Sequence, residues 1–409
     1  MAIVINGSGT VTGLAVGGLP DGTVDAGTLA TDSVTEAKIA TDSVTTTKIP
    51  AALENTFVSG RRNIVNNGAM QVAQRGTSST STGYGSVDRW RMAGSVTCEQ
   101  SQLALTSGDA YDAGFRYAFK TTNQSAVTDT AAGYVSCFQY IEAQDLATSG
   151  WDYTDASSYI TISFWVKSSV AGTYYVNPMT QDGTSKIYPQ SFSLSADTWT
   201  KVEKSFPGHA DLTFNNDNGR GISLHLSPYY GTNFTSGVST SAWSTYASGD
   251  RFPDFAQNWA ASADATWEIT GVQLELGSTA TDFEHRSFGE ELALCQRYYY
   301  KFNSGRTLMI NNGNGTAIMG NIYTPVDFRS SPTLTATANG SSTGSFAIQT
   351  GGSGTQVGHT AYANNVALAI PGVHCLGLNI TSMSGFPDGY SGWHDFNDAA
   401  LVLQLDAEL

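Results

Sequence analysis

Short alternating runs separated by turn residues fill most of this chain, and they leave it few architectures other than packed β-sheets. The clearest run is 159–166, YITISFWV, in which Ile160, Ile162, Phe164 and Val166 alternate with Thr161, Ser163 and Trp165. That is the period of a strand with one face buried. Similar runs lie at 90–92, 97–105, 116–121, 135–141, 172–178, 186–194, 198–206, 221–227 and 266–276, with Gly, Asn, Asp and Ser between them. About ten short strands in some 220 residues predict a two-sheet sandwich of jelly-roll kind. Charged residues are only 13% of the 409, and Gly, Ser, Thr and Tyr are abundant, which suits strands and tight turns better than helices. The expected fold class is all-β.

The stretch 271–301, GVQLELGSTATDFEHRSFGEELALCQRYYYK, marks a boundary. Val272, Leu274 and Leu276 alternate with Gln273 and Glu275 as a strand, Gly277 ends it, and 290–298 reads as a short helix. Further strands are expected beyond it, at 298–302, 308–310, 317–323, 333–337, 345–349, 366–369, 376–380 and 400–405. The expected organisation is a segment 1–20, a repeat 21–60, a sandwich domain 61–298 and a second β domain 299–409.

The repeat has a ten-residue unit: DGTVDAGTLA, TDSVTEAKIA, TDSVTTTKIP. Val24, Leu29, Val34, Ile39, Val44 and Ile49 place an apolar residue at every fifth position. Five is neither the helix nor the strand period, so one copy cannot bury these positions against itself. A shared core between several chains is the simplest solution, and a Thr/Ser-rich linker is the other. Pro50 closes the repeat, and 51–58 reads as a short helix.

A formal charge of −15 argues against a phosphate-binding, nucleic-acid partner. No apolar run is long enough to span a bilayer as a helix, and the first residues lack the basic start and apolar stretch of a secretion signal. Cys98, Cys137, Cys295 and Cys375 are far apart, without a CxxC, and are expected as buried free thiols. HExxH does not occur, GYSGW at 389–393 lacks the last Gly of GxSxG, and NNDNG at 215–219 lacks the later acidic ligand of a calcium loop. No metal, cofactor or catalytic residue is therefore assigned, although carboxylate pairs brought together from distant loops stay open.

Several phrases resemble the carbohydrate-binding-like jelly-roll module of bacteriophage tail fibre and receptor-binding proteins. They are RNIVNNGAMQVAQRGTS at 62–78, SVDRWRM at 86–92, ITISFWVKSSVAGTYYV at 160–176, WTKVEKSFPG at 199–208 and the closing phrase 271–301. The opening INGSGTVTGLAVGGLPDGTV and the repeat are similar to the tail-joining segment and collar of such fibres, and IYTPVDFRSSPTLTAT and ALVLQLDAEL to their last domain. The resemblance implies a homotrimeric virion protein, docked through its N-terminus to a phage tail or baseplate protein, that adsorbs to a host surface glycan or receptor without catalysis. A tail-associated glycan depolymerase and a spacer or decoration protein are the alternatives.

Two aromatic stretches are candidate contacts. The stretch 384–398, SGFPDGYSGWHDFND, reads as a loop offering Tyr390, Trp393, His394, Asp395 and Phe396, with rings for a sugar face and carboxylates for its hydroxyls. The stretch 227–267 offers Tyr229, Tyr230, Trp243, Tyr246 and Trp259 among polar residues. Loops this long are uncommon and often functional, but the same rings would also tie the loop to the sandwich. Asp88, Arg89 and Trp90 could form a sugar contact, with the ring on a pyranose and the charges on its hydroxyls, but the structural reading is favoured, with Trp90 in the core and Asp88 paired with an arginine.

Overall fold

The computed structural model describes residues 62–127, 131–235, 237–303 and, within 307–409, all but 313–316, 339–340, 344, 352–356, 363, 365, 371, 382–390 and 396–400. Before residue 62 it describes only an antiparallel pair, Val4–Ile5 with Val11–Thr12. Gly60–Leu409 forms one compact unit and Met1–Ser59 another. The repeat positions Val24, Leu29, Val34, Ile39, Val44 and Ile49, and the expected helix at 51–58, lie outside the described residues.

The sandwich is built from β1 (Arg91–Gly94), β2 (Cys98–Ala104), β3 (Tyr117–Asn123), β4 (Tyr134–Glu142), β5 (Tyr159–Ser168), β6 (Gly172–Thr180), β7 (Gln190–Leu194), β8 (Thr200–Pro207), β9 (Arg220–Ser227) and β10 (Thr266–Leu276). Each coincides with an alternating run in the sequence. The run 186–194 is split, because Pro189 has no N–H to donate: Lys186–Ile187 and β7 pair with β6 on either side of it. One sheet has the order Tyr229–Tyr230, β4, β9, β6, Lys186–Ile187, Ser244–Thr245, with β1 also on β4 and β7 also on β6. The other runs β8, β5, β10, β3, β2 and Ser78–Ser79. Among the described residues the strand pairs within these two sheets are antiparallel.

The core lies between the two sheets. Phe164, Val166, Ile162 and Trp267 come from one, Val135, Cys137, Tyr174 and Leu224 from the other, and all are at most 1% exposed. The Tyr174 and Trp267 rings meet with centroids 4.8 Å apart. Gly68 approaches the bulge in β10 so closely that an added Cβ would stand 2.1 Å from the Val272 carbonyl oxygen. Its own carbonyl accepts from the Val272 N–H at 3.0 Å. Only glycine permits that approach.

Helix Phe288–Gln296 follows β10 and is started by a capping box, in which Ser287 and Glu290 satisfy each other's backbone N–H groups. It leads into Tyr299–Asn303, which pairs with Leu401–Asp406, itself paired on its other side with Thr333–Ala338. A further sheet contains Thr307–Asn312, Ala317–Tyr323, Ser345–Gly351, Val357–Tyr362, Val366–Ile370, Cys375–Thr381 and Ser391–Asp395. Val357–Tyr362 and Ser391–Asp395 fall in stretches expected to be irregular. Pairing with Thr307–Asn312, distant in sequence, makes Ser391–Asp395 a strand, and a hairpin with Ser345–Gly351 does so for Val357–Tyr362.

This C-terminal region is locked to the sandwich by a buried ionic cluster. Arg89, fully buried, pairs with Glu408, donates from Nη2 to the Tyr140 carbonyl at 2.6 Å and lies over the Tyr298 ring at 3.3 Å. Arg75 reaches Asp406 at 3.0 Å, Glu408 at 3.3 Å and Asp88 at 3.9 Å, and stacks on Tyr299. Burial pushes the Asp88 carboxyl up to about 6 despite Arg75 and Gln74, which pull it down. Arg297 holds Glu142 with two bonds of 2.8 Å. Asp88 thus pairs with an arginine and Trp90 is core, as the sequence favours. Cys98, Cys137 and Cys295 are buried thiols, whereas Cys375 is exposed, against expectation.

Candidate functional site

The outer face of the β4–β9–β6 sheet carries side chains that a solvated sheet face does not need. On β4, Val135, Cys137 and Ile141 face the core, so Tyr134, Ser136, Phe138 and Tyr140 face outward. On β9, Ile222, Leu224 and Leu226 face inward, which turns Ser223 and His225 outward. Register aligns these outward residues into rows. Phe138 stands opposite both Arg91 and His225, Ser223 lies between Tyr140 and Met179, and Tyr134 is paired with Tyr230.

The long loop after β9 folds back over one end of this face. Tyr230 stacks on Phe252 at 4.6 Å and on Tyr134 at 5.5 Å, and Phe234 meets both tyrosines edge-on. Two hydrogen bonds of 2.9 Å fasten the loop backbone to β6, from Tyr175 Oη to the Asp254 carbonyl and from Asn177 Nδ2 to the Arg251 carbonyl. The uncovered part of the face is a cleft of about 220 Å³. Its walls include Phe138, Tyr140, Tyr230 and Tyr246, and its polar groups Arg91, Ser136, Gln181, Ser223, His225 and Arg251.

His225 is the centre of the floor. Its Nδ1 lies 3.0 Å from Ser136 Oγ and its Nε2 3.1 Å from Ser223 Oγ, and its ring stacks on Phe138 at 4.6 Å. Burial, helped by the charges of Arg251 and Arg91, lowers its pKa from 6.5 to about 3. Between those values the unfolded chain binds a proton that the folded chain refuses. The resulting stability is fully present above pH 6.5 and is lost as pH falls towards 3. Between pH 7 and pH 4 the wild type should therefore lose about 3 kcal/mol more unfolding free energy than a His225→Gln variant. Urea titrations of both at the two pH values check this, and equal losses would refute it.

Of the loop residues singled out in the sequence, Tyr230 and Tyr246 reach the cleft, Tyr230 with its ring largely covered by its neighbours and Tyr246 half-buried. Tyr229 is buried on the main core and Trp259 is completely buried, its Nε1 donating to the Thr266 carbonyl at 3.2 Å. Trp243 packs on Tyr188 and donates to the Pro207 carbonyl at 2.8 Å. Tyr229 and Trp259 are thus part of the core, and Trp243, half-buried, fastens the loop to the sandwich. In the C-terminal candidate patch, Tyr390 and Phe396 lie outside the described residues. Trp393, His394 and Asp395 belong to a strand, not a loop, with their backbones opposite Met309, Leu308 and Thr307.

Sequence reasoning missed Arg91, Phe138, Tyr140, His225 and Arg251. The available signal was in β4, where YVSCFQYIE puts apolar Val135, Cys137 and Ile141 on one face and still sets three rings, Tyr134, Phe138 and Tyr140, on the other.

A second depression, about 370 Å³, lies on the outer face of the opposite sheet and includes Phe115, Trp165, Lys201, Asp282, Phe283 and His285. There Phe115, Phe283 and His285 pack on one another with centroids 4.9 to 5.4 Å apart. Its buried polar lining is the hydroxyls of Ser163 and Thr281, and no guanidinium group is among its lining residues. Among the described residues no cluster of three or more metal-ligating side chains occurs.

No family model matches the chain, and no curated protein matches it. Solved structures similar to it include a phage tailspike and carbohydrate-binding modules with β-sandwich folds. One is the enzymatically active domain of tailspike protein 4 of bacteriophage CBA120, with 10% identity and a TM-score of 0.29 over 53% of this chain. The match covers 21% of the tailspike chain, so this chain spans about a fifth of it. Another is the family 11 carbohydrate-binding module of Clostridium thermocellum in complex with a β-1,3-1,4-mixed-linked tetrasaccharide, at 13% identity and TM-score 0.24, covering 50% of this chain and 98% of that one. A third is the N-terminal cellulose-binding domain of Cellulomonas fimi β-1,4-glucanase C, at 11% identity and TM-score 0.25, covering 51% and 99%.

Proposed function

We propose that this chain is a non-catalytic glycan-binding protein, and that its site is the cleft on the outer face of the β4–β9–β6 sheet. The observation that carries the reading is the composition of that cleft. It combines aromatic walls, suited to the apolar face of a sugar ring, with hydroxyl, amide and guanidinium groups, suited to its oxygens. Strands hold most of these groups, so binding costs little ordering. No carboxylate lines the cleft among the described residues, so the acid pair of a glycosidase has no place there.

In this reading the protein works as a homotrimeric phage tail fibre in the virion, in line with its sequence resemblance. Residues 1–20 dock to a tail or baseplate protein and the repeat forms the stalk. Three weak sites per fibre, and several fibres per particle, raise the effective concentration at the host surface. The test is binding of the purified full chain to host cells and to envelope glycan fragments, with Tyr140→Ala and Tyr246→Ala as cleft variants. Stacking on a ring contributes on the order of 1 kcal/mol, so each variant should bind about five- to tenfold more weakly while melting normally. Binding that both variants retain in full would move the site elsewhere. Release of oligosaccharides from envelope would replace the reading with a depolymerase.

A further inference from the structure

The charge in the cleft is opposite in sign to that of the chain. Asp and Glu outnumber Lys and Arg by 35 to 20. Yet the cleft holds Arg91 and Arg251 and no acidic residue, and Arg220 lies on its rim, over the Tyr140 ring at 4.1 Å. Elsewhere, Arg62, Arg75, Arg89, Arg286 and Arg297 each have a carboxylate within 4.0 Å, and half-buried Arg329 spends its N–H groups on the Asn218 and Ala407 carbonyls. Among the described residues Arg91, Arg220 and Arg251 have no carboxylate within that distance.

The guanidinium groups are held but not consumed. Arg91 lies over the Phe138 ring at 5.3 Å, with no side-chain hydrogen bond to any described residue. Arg251 sits between the rings of Phe234, at 5.1 Å, and Tyr246, at 5.8 Å, uses Nε on the Ser248 carbonyl at 3.1 Å and also hydrogen-bonds the Tyr230 hydroxyl. Stacking fixes the planes and leaves N–H edges for a ligand. A planar fork of N–H donors matches a carboxylate or phosphate better than a neutral hydroxyl. Burial and both arginines also keep His225 neutral, so the floor adds a hydrogen-bonding group but no competing charge.

We infer that the saccharide bound in this cleft is anionic, carrying a carboxylate or phosphate that Arg91 and Arg251 grip while Tyr140 and Tyr246 hold its ring. This inference rests on the glycan-binding reading above. A cleft of about 220 Å³ is smaller than the roughly 300 Å³ where drug-sized pockets begin, so it accepts one charged sugar residue with the rest of the glycan in solvent.

Calorimetry on the full-length protein tests it with three probes: a uronic-acid oligosaccharide, its carboxyl-reduced neutral form, and a sugar-phosphate oligosaccharide. One anionic probe should bind at least tenfold more tightly than the neutral one, and which of them does so separates carboxylate from phosphate. The double variant R91Q/R251Q should bring the anionic probe down to the neutral level, a loss of about tenfold to a hundredfold. Arg91→Lys and Arg251→Lys together should restore part of it. Both arginines lack ion-pair partners, so the variants should fold, and circular dichroism verifies this. Equal binding of neutral and charged probes, unaffected by R91Q/R251Q, overturns the anionic inference and leaves glycan binding standing. Anion binding that survives R91Q/R251Q overturns the assignment of the two arginines. Failure of all three probes, together with failure to bind host glycan fragments or cells, overturns both readings.

Discussion

Glu408→Ala should lower the free energy of unfolding by about 3–5 kcal/mol, the usual cost of stripping one partner from a buried ion pair. Arg89 is completely buried, and Glu408 is its only carboxylate partner within 4.0 Å among the described residues. The other groups around the guanidinium are a carbonyl and an aromatic ring, which cannot neutralise it. Arg75 would lose Glu408 as well, but it keeps Asp406 and Asp88. Urea denaturation gives the number, with Glu203→Ala as the control. Glu203 pairs with Lys201 in the open, both side chains more than 40% exposed, and its loss should cost less than about 1 kcal/mol. If the two variants cost the same, the cluster is solvated and does not lock the C-terminal strands to the sandwich.

Trp90→Ala should cost a similar 3–5 kcal/mol. The side chain is fully buried in the main core, its Nε1 donates to the Asn67 carbonyl at 3.1 Å, and its ring lies 6.4 Å from that of Phe119. Truncation would empty a site that the paired sheets cannot close, and would leave a buried carbonyl without this donor. The same experiment decides between the two sequence readings of this residue. A glycan contact would lose binding with little change in stability. A core residue loses stability and retains binding at temperatures where the variant remains folded. The second outcome is expected.

The sandwich strands were legible because each is written twice, in period-two alternation and in the turn residues around it. The run 159–166 places Ile160, Ile162, Phe164 and Val166 inward, as their burial confirms. The helix after β10 was legible from Glu290 and the apolar residues behind it, although the Ser287 cap sets its start at Phe288, two residues earlier than expected. Strand Ser391–Asp395 was not legible, since glycine and polar residues around its aromatics read as a loop. Its existence depends on pairing with Thr307–Asn312, some eighty residues away in sequence.

The candidate site was hardly legible at all, and the reason is the same. Alternation states that a strand has two faces, but not which neighbours share a face. Tyr246 was picked out by its polar surroundings, and it does reach the cleft. Trp259, chosen on the same grounds, is buried, because a composition signal cannot separate a ring that ties a loop down from one that is presented. Phe138 and His225 are opposite each other only through the β4–β9 register, and Arg91 joins them through β1. Sequence by itself determined the all-β class, the strands of the sandwich and the acidic balance of the chain, since all three are local or summed properties. The tertiary structure alone decided that two unpaired arginines and a neutral histidine meet over aromatic rings, and that Arg89 finds Glu408 across 319 residues. Those outcomes depend on hydrogen-bond register and on desolvation, which act only once distant segments have been brought together.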